Sequence, residues 1–99
     1  MIRNVVVGRV RDGVDPADVQ AALDAIRDLP VLRELGATAV VGPDLGLKEG
    51  NGAFAITVDL TDEDAYRRYD DDPEHNRVRR EMFGPLLDDV VRVQIRLPD

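Results

Sequence analysis

The chain has 99 residues, which is the size of one domain with a core of its own. Its 43% hydrophobic and 33% charged residues include no apolar run long enough for a transmembrane helix or a signal peptide, so we expect a globular, cytoplasmic protein without a membrane partner. The net charge of −7 disfavours nucleic-acid binding, and the lack of cysteine excludes disulfides, thiolate catalysis and cysteine metal sites.

The first predicted element is a strand over residues 2–11, in which every second residue lies on the same face. One face carries Ile2, Asn4, Val6, Gly8 and Val10. A helix is predicted next, because Asp15 is a suitable N-cap and Pro16 fits the first helical position. Its apolar stripe consists of Val19, Ala22, Leu23, Ile26 and Leu29.

The middle of the chain predicts two more strands joined by a long loop. We expect Pro30 to end the first helix and residues 31–35 to add a short helical turn. Residues 37–42 are predicted to form the second strand and residues 53–60 the third. The loop between them, residues 43–52, contains three glycines. One face of the third strand consists of Phe54, Ile56, Val58 and Leu60.

Two helices follow the third strand and meet at a proline. The first begins near Asp62 and must end before Pro73, because the residue that precedes a proline is pushed out of the helical region. Asp72 is then placed to cap the second helix, with proline at its first position. We expect this helix to extend to about Leu87, with a kink or a break at Gly84-Pro85.

Residues 90–97 predict the last strand, so the element order is β-α-β-β-α-β. This is the order of the ferredoxin-like α+β fold, in which helices cover one face of an antiparallel sheet. We assign four apolar side chains to the other face, namely Val5, Val7, Val41 and Val90. A monomer would leave that face in water, so we expect a homodimer in which two sheets pack face to face.

Tyr69 and His75 are the strongest candidates for chemistry. They lie six residues apart, across the predicted junction of the two helices, and His75 is the only histidine of the chain. A phenol and an imidazole brought together there could form a proton-transfer pair. They could equally form an ordinary hydrogen bond that stabilises the junction. The helix N-terminus disfavours a charged His75 and the neighbouring acids favour it, so the sign of its pKa shift stays open.

The same side of the sheet predicts a small apolar pocket. Gly8 has no side chain and should leave space on the first strand. The predicted lining consists of Asn4, Val6, Gly8, Leu23, Ile26, Ile56, Val58, Tyr66 and Phe83, beside Tyr69 and His75. Such a site suits a small apolar or aromatic molecule. The alternative is that these residues are simply a close-packed core.

Other site types are not predicted. The acidic run at residues 70–72 and Glu74 crowd a helix junction without the spacing of a metal-binding loop, so we expect no metal and no cofactor. The glycines at positions 42 and 46 lack the Gly-Lys-Ser/Thr ending of a phosphate-binding loop. A Ser-His-Asp triad is excluded because the chain contains no serine.

Three segments resemble the stress-responsive A/B barrel (Dabb) family. They are residues 1–10, the loop at residues 41–51, and Tyr69-Asp-Asp-Asp-Pro-Glu-His75, which is similar to the family pattern Tyr-x-x-His-Pro-x-His. The resemblance implies one Dabb domain over residues 1–99. It also implies a homodimer in which two ferredoxin-like halves form an α/β barrel.

One branch of that family, the olivetolic acid cyclase-like polyketide cyclases, performs acid–base chemistry with a tyrosine and a histidine of this pattern. The resemblance implies these roles for Tyr69 and His75. Asn4 replaces a histidine of that branch on the first strand and is expected to hold a substrate carbonyl; Asp72 replaces the first histidine of the pattern. The resemblance therefore implies a cofactor-independent cyclase or lyase that acts on a polyketide-like keto or phenolic substrate. A non-enzymatic stress-responsive or ligand-sequestering dimer and a cofactor-free oxygenase are the alternatives.

Overall fold

A computed structural model describes residues 1–98 of the chain. In chain order the elements are β1 (Ile2–Val10), α1 (Pro16–Arg27), α2 (Pro30–Glu34), β2 (Thr38–Pro43), β3 (Phe54–Leu60), α3 (Glu63–Asp71), α4 (Pro73–Val78), a π-helical segment (Arg79–Phe83) and β4 (Leu87–Arg96). The predicted β-α-β-β-α-β order and the ferredoxin-like α+β fold are confirmed. Within residues 1–98, no helix has the length and apolarity needed to cross a membrane.

The four strands form one antiparallel sheet in the order β2-β3-β1-β4. On β1, Asn4 lies opposite Val58 of β3 and Gln94 of β4, and all three point to the side that the helices cover. The apolar side chains of that side join those of α1 and α2 in the core. The most deeply buried of the large side chains are Leu23, Ile26, Leu60, Val58 and Val78.

The open face of the sheet differs from the prediction in two residues. Val41 pairs with Ile56, and Val90 pairs with Gly8, so both lie on the helix side of the sheet. Alternation divides a strand into two faces without saying which face meets the helices; the pairing register decides that. The exposed apolar residues of the open face are Val7, Val40, Val91, Val93 and Ile95.

The helices α1 and α3 start where predicted, α1 after its expected cap Asp15 and α3 next to Asp62. The side chain of Asp15 accepts a hydrogen bond from the backbone N–H of Ala17, and that of Asp62 accepts one from Ala65, each at 2.9 Å. These bonds satisfy backbone donors that have no partner inside the helix. Pro30 opens α2 rather than ending α1, which stops at Arg27.

The second of the paired helices is shorter than predicted. Regular α-helix ends at Val78, and the π-helical segment ends at Phe83, where Gly84 N–H donates to the carbonyl of Arg79 at 3.0 Å. A side chain at Gly84 would come within 2.5 Å of the Arg80 carbonyl oxygen, so the wide turn requires a glycine. Pro85 then prevents further helix, and β4 begins at Leu87, three residues earlier than predicted.

Candidate active site

A cavity of about 150 Å³ lies between the helix side of the sheet and the paired helices. Eight of the predicted site residues line it, namely Asn4, Val6, Ile26, Ile56, Tyr66, Tyr69, His75 and Phe83. Six more residues complete the lining: Phe54, Asp70, Arg79, Leu87, Val90 and Arg92. Most of the wall is apolar, and a few polar groups converge on it, which is the usual composition of a small-molecule site.

Three predicted lining residues lie elsewhere. Leu23 and Val58 are fully buried and belong to the close-packed core. Gly8 does not widen the cavity, because the ring of Phe54 occupies the space above it. A β-carbon placed on Gly8 would lie only 2.2 Å from that ring. The glycine therefore makes room for a neighbouring aromatic side chain rather than for a ligand.

Tyr69 and His75 both face the cavity and contact each other. Their rings stack with centroids 4.1 Å apart and an interplanar angle of 23°. The imidazole Nδ1 lies 2.9 Å from the backbone carbonyl oxygen of Tyr69. A carbonyl can only accept, so Nδ1 carries the hydrogen and Nε2 has a free lone pair. Among the hydrogen bonds of residues 1–98, none joins the phenol hydroxyl to the imidazole.

The junction of α3 and α4 produces this contact. Tyr69 lies in the last turn of α3, where its carbonyl accepts the N–H of Asp72 at 3.3 Å but has no i+4 donor, because residue 73 is a proline. Asp72 directly follows α3 and caps α4, accepting the backbone N–H of His75 at 2.9 Å. That cap holds His75 in the first turn of α4, directly against the end of α3. The imidazole then adds a second hydrogen bond to the Tyr69 carbonyl, which is shorter than the one from Asp72.

The electrostatic surroundings keep both rings neutral near pH 7. Burial lowers the pKa of His75, and Arg79 lowers it further, against the hydrogen bond to Tyr69 and the charges of Asp70 and Asp72. Burial raises the pKa of the Tyr69 phenol well above its ordinary value, while Arg79 acts in the opposite direction. The site therefore combines an uncharged imidazole, able to accept a proton, with a phenol able to donate a hydrogen bond.

Asn4 adds an oriented amide on the opposite wall. It is 5% exposed, and its Oδ1 accepts a hydrogen bond of 2.7 Å from Nε2 of Gln94. Because the oxygen is engaged, the Nδ2 group is the part of the amide left to donate to a ligand. Asn4 has no titratable proton, so it can hold a carbonyl but cannot act as a base.

The charged part of the lining is not among the residues predicted from the sequence. Asp70 and Arg79 form an ion pair of 3.0 Å across the α3–α4 junction, and Arg92 reaches the cavity from β4. Arg92 lies opposite Val6 in the sheet register. The alternation of β4 places Arg92 on the same face as Val90, but only the pairing register shows that this face meets the helices.

Two of the acids of the junction serve structural roles. Asp72 caps α4, and Glu74 pairs with Arg77. In the part of the chain that the structure describes, no group of three or more acidic or histidine side chains is placed to hold a metal ion. Asp70 and His75 are the residues of the cavity that could contribute to binding a cation, and the first of them is occupied by Arg79.

The family model for the stress responsive A/B barrel domain (Dabb) matches residues 2–96. The chain belongs to the Dabb family. The match covers both walls of the cavity and confirms the family predicted from the three resembling segments. No curated protein sequence matches this Dabb chain.

Solved structures agree with the fold of this Dabb domain. A dimeric ferredoxin-like protein of unknown function from Thermobifida fusca is 38% identical, with 97% of this chain and 90% of that chain covered at a TM-score of 0.85. A Dabb family protein from Mesorhizobium loti is 18% identical, with 99% and 97% covered and a TM-score of 0.74. A hydroxynitrile lyase from Passiflora edulis is 12% identical, with 99% and 94% covered and a TM-score of 0.79.

Proposed function

We propose that this Dabb protein is a cofactor-independent lyase or cyclase that removes a proton next to a carbonyl of a small keto or phenolic substrate. His75 is the general base, Tyr69 donates a hydrogen bond, and Asn4 holds a substrate carbonyl. The observation that carries this proposal is the bond from His75 Nδ1 to the Tyr69 carbonyl, because it presents an unprotonated Nε2 on a cavity wall.

The chemical step is a proton transfer followed by bond formation. Nε2 takes the proton from a carbon between two carbonyl groups, and the C–H electron pair moves onto a carbonyl oxygen to give an enolate. The amide of Asn4 or the phenol of Tyr69 stabilises that oxygen by a hydrogen bond. The enolate carbon then attacks a second carbonyl of the same chain, and the imidazolium returns its proton to the new alkoxide.

The size of the cavity limits what it can hold. Sites for drug-sized ligands usually enclose about 300–1,000 Å³. The volume here, about 150 Å³, corresponds to a single ring or a short dicarbonyl unit. We therefore place the reacting end of a substrate in the cavity, and the remainder of a longer polyketide-like chain outside it.

We also propose that the protein is a homodimer that associates through the open face of the sheet. Val91 and Val93 are 65% and 52% exposed there, and two exposed leucines, Leu45 and Leu47, flank the same face beside Val7. A contiguous apolar surface of this kind is typical of an association site. The 38% identical protein from Thermobifida fusca is described as dimeric, which supports the same assembly.

Proton removal can be measured without knowing the natural substrate. The probe is ethyl 3-oxobutanoate, a neutral compound with one carbon between two carbonyls, and the readout is deuterium incorporation at that carbon by NMR. We expect His75→Gln to lower the protein-dependent rate by about a hundredfold, the usual scale of general base catalysis. Tyr69→Phe should lower it less, because it removes a hydrogen bond but leaves the base.

Asp71→Asn is the matched control for the acids of the junction. Asp71 is exposed, ends α3 and does not line the cavity, so its loss should leave the exchange rate unchanged. Equal rates for the wild type, His75→Gln and Tyr69→Phe would contradict the proposed chemistry.

The second candidate is a ligand-binding dimer without catalysis. The observation that favours it is the stacking of the two rings, because the phenol and the imidazole pack on each other without a direct hydrogen bond. This function predicts saturable binding of the dicarbonyl probe, observed as NMR shifts of cavity residues, with deuterium exchange at the buffer rate.

A further inference from the structure

The charge of the cavity is opposite to the charge of the chain. The protein carries a net charge of −7, yet the cavity is lined by two arginines and one aspartate. Arg79 is neutralised by Asp70 at 3.0 Å, and His75 is uncharged near neutral pH because burial lowers its pKa. One positive charge, that of Arg92, is left in excess on the lining.

Arg92 is free to bind a ligand. Arg92 is exposed and also lines the cavity, so it lies at the opening. Among residues 1–98, no carboxylate forms an ion pair with it, whereas six other arginines have such partners: Arg3, Arg27, Arg67, Arg77, Arg79 and Arg96. It lies on the helix side of β4, opposite Val6, and hence away from the open face of the sheet.

We propose that Arg92 binds a carboxylate of the substrate at the opening of the cavity, so that the substrates are small keto or phenolic acids. This inference rests on the proposed function and specifies its substrate class. A planar guanidinium matches a carboxylate with two parallel hydrogen bonds, which fixes the orientation of the bound molecule. The apolar interior then holds the ring or the keto end, close to His75 and Asn4.

The arrangement also has a chemical consequence. A carboxylate held at the opening directs the other end of a short molecule inward, which is the position needed for proton removal by His75. In the reverse orientation the carboxylate would lie in the mostly apolar interior, away from Arg92, where an unpaired charge is costly. Arg92 is therefore a specificity-determining residue and takes no part in the proton transfer.

The test compares two molecules that differ in charge and little in shape. Benzoate and benzamide are titrated separately into the nitrogen-15-labelled protein, and dissociation constants are taken from NMR shifts of cavity residues. We expect the wild type to bind benzoate about tenfold more tightly than benzamide, the scale of a charge-assisted hydrogen bond to a partly exposed group. Added salt should weaken benzoate binding and leave benzamide binding unchanged.

Variants of single arginines test whether Arg92 causes the preference for benzoate over benzamide. Arg92→Gln should bring the two dissociation constants to within about twofold, and Arg92→Lys should keep part of the preference, because an ammonium retains charge without the planar fork. Arg33→Gln is the matched control, since Arg33 is an exposed arginine of α2 that does not line the cavity. It should preserve the wild-type preference.

Three results would overturn the inference: no binding of benzoate by the wild type, equal affinities for the two molecules, or an undiminished preference in Arg92→Gln. None of them depends on His75 or on the exchange of the neutral ester. A failure of the carboxylate site is therefore distinguishable from a failure of the proposed proton transfer. The proton transfer is tested separately, by comparing deuterium exchange of the neutral ester in the wild type and in His75→Gln.

Discussion

The imidazole of His75 stacks on the phenol of Tyr69 at 4.1 Å and donates a hydrogen bond to the backbone carbonyl of the same residue at 2.9 Å. The two contacts fix the plane of the imidazole and the position of its hydrogen. They leave Nε2 as the only unprotonated nitrogen of a buried, neutral ring. The end of α3 and the start of α4 thus orient a base without any other side chain bonding to it.

The cap at the α3–α4 junction is expected to affect both stability and the site. Asp72→Ala removes the acceptor of the His75 backbone N–H and should lower the free energy of unfolding by about 1 kcal/mol. It should also slow the exchange of the dicarbonyl probe, because the first turn of α4 holds His75. Chemical denaturation and the exchange assay measure the two effects.

Asp15→Ala is the control for this prediction. Asp15 caps α1 by the same type of bond, from the N–H of Ala17, and lies outside the cavity. Its replacement should cost a similar free energy of unfolding and leave the exchange rate unchanged. If Asp15→Ala slowed the exchange of the dicarbonyl probe as much as Asp72→Ala does, lost stability alone would explain the slower exchange.

Gly8 and Phe54 are expected to be energetically coupled. A β-carbon at position 8 would lie 2.2 Å from the Phe54 ring, so Gly8→Ala should destabilise the protein and displace that ring. In the Phe54→Ala background the same substitution should cost much less, because the conflicting ring is absent. Urea unfolding of the two single variants and the double variant measures the coupling; additive changes in the free energy of unfolding would contradict the contact.

Phe54→Ala should also enlarge the cavity towards Gly8. The ring lines the present cavity and packs on Phe83 at 5.5 Å, so its loss should cost about 3–5 kcal/mol of stability. The enlarged space should admit two-ring ligands such as 2-naphthol, which the wild type should bind more weakly than phenol. An unchanged order of affinities would show that Phe54 does not limit the cavity.

A charge placed on the open face of the sheet is expected to prevent dimerisation. Val93→Asp places a charge at the centre of the exposed apolar face and should convert the dimer to a folded monomer, because an unpaired charge cannot be buried cheaply. Sedimentation velocity measures the mass, and circular dichroism checks the fold. Gln20→Asp, on the exposed side of α1, should remain dimeric. A monomeric wild type would contradict the proposed interface.

The sequence predicted the fold through local signals that the structure retains. Asp15 and Asp72 cap helices where expected, α3 begins next to Asp62 as predicted, and the alternation of β1 and β3 places the buried residues correctly. The length of the last helix was overestimated. The π-helical turn before Gly84 depends on contacts with carbonyls of the preceding turn. The spacing of apolar residues in the sequence does not reveal such contacts.

The candidate site was less predictable than the fold. The spacing of Tyr69 and His75 predicted that they meet at one junction. It did not predict that the partner of Nδ1 is the backbone carbonyl of Tyr69. The space expected above Gly8 is filled by the ring of Phe54. These two residues are far apart in the sequence but lie opposite each other in the β1–β3 register. Arg92 was missed because its face of β4 could be assigned only from the register.

The pH dependence of deuterium exchange, measured for the wild type and for His75→Gln, tests the central claim most directly. Burial lowers the pKa of His75 below its ordinary value of 6.5, so the base is lost only as the pH falls below that value. The same shift makes the unfolded chain bind a proton before the folded protein does, so stability should also decrease below about pH 6.5. Tyr69 should cause no decline up to its ordinary pKa of 10.0, because burial raises that pKa.

We expect the wild-type exchange rate to rise with pH, with a midpoint below 6.5, and then to stay level, while the rate with His75→Gln equals that of the buffer at every pH. Identical profiles for the two proteins would contradict the proposed role of His75.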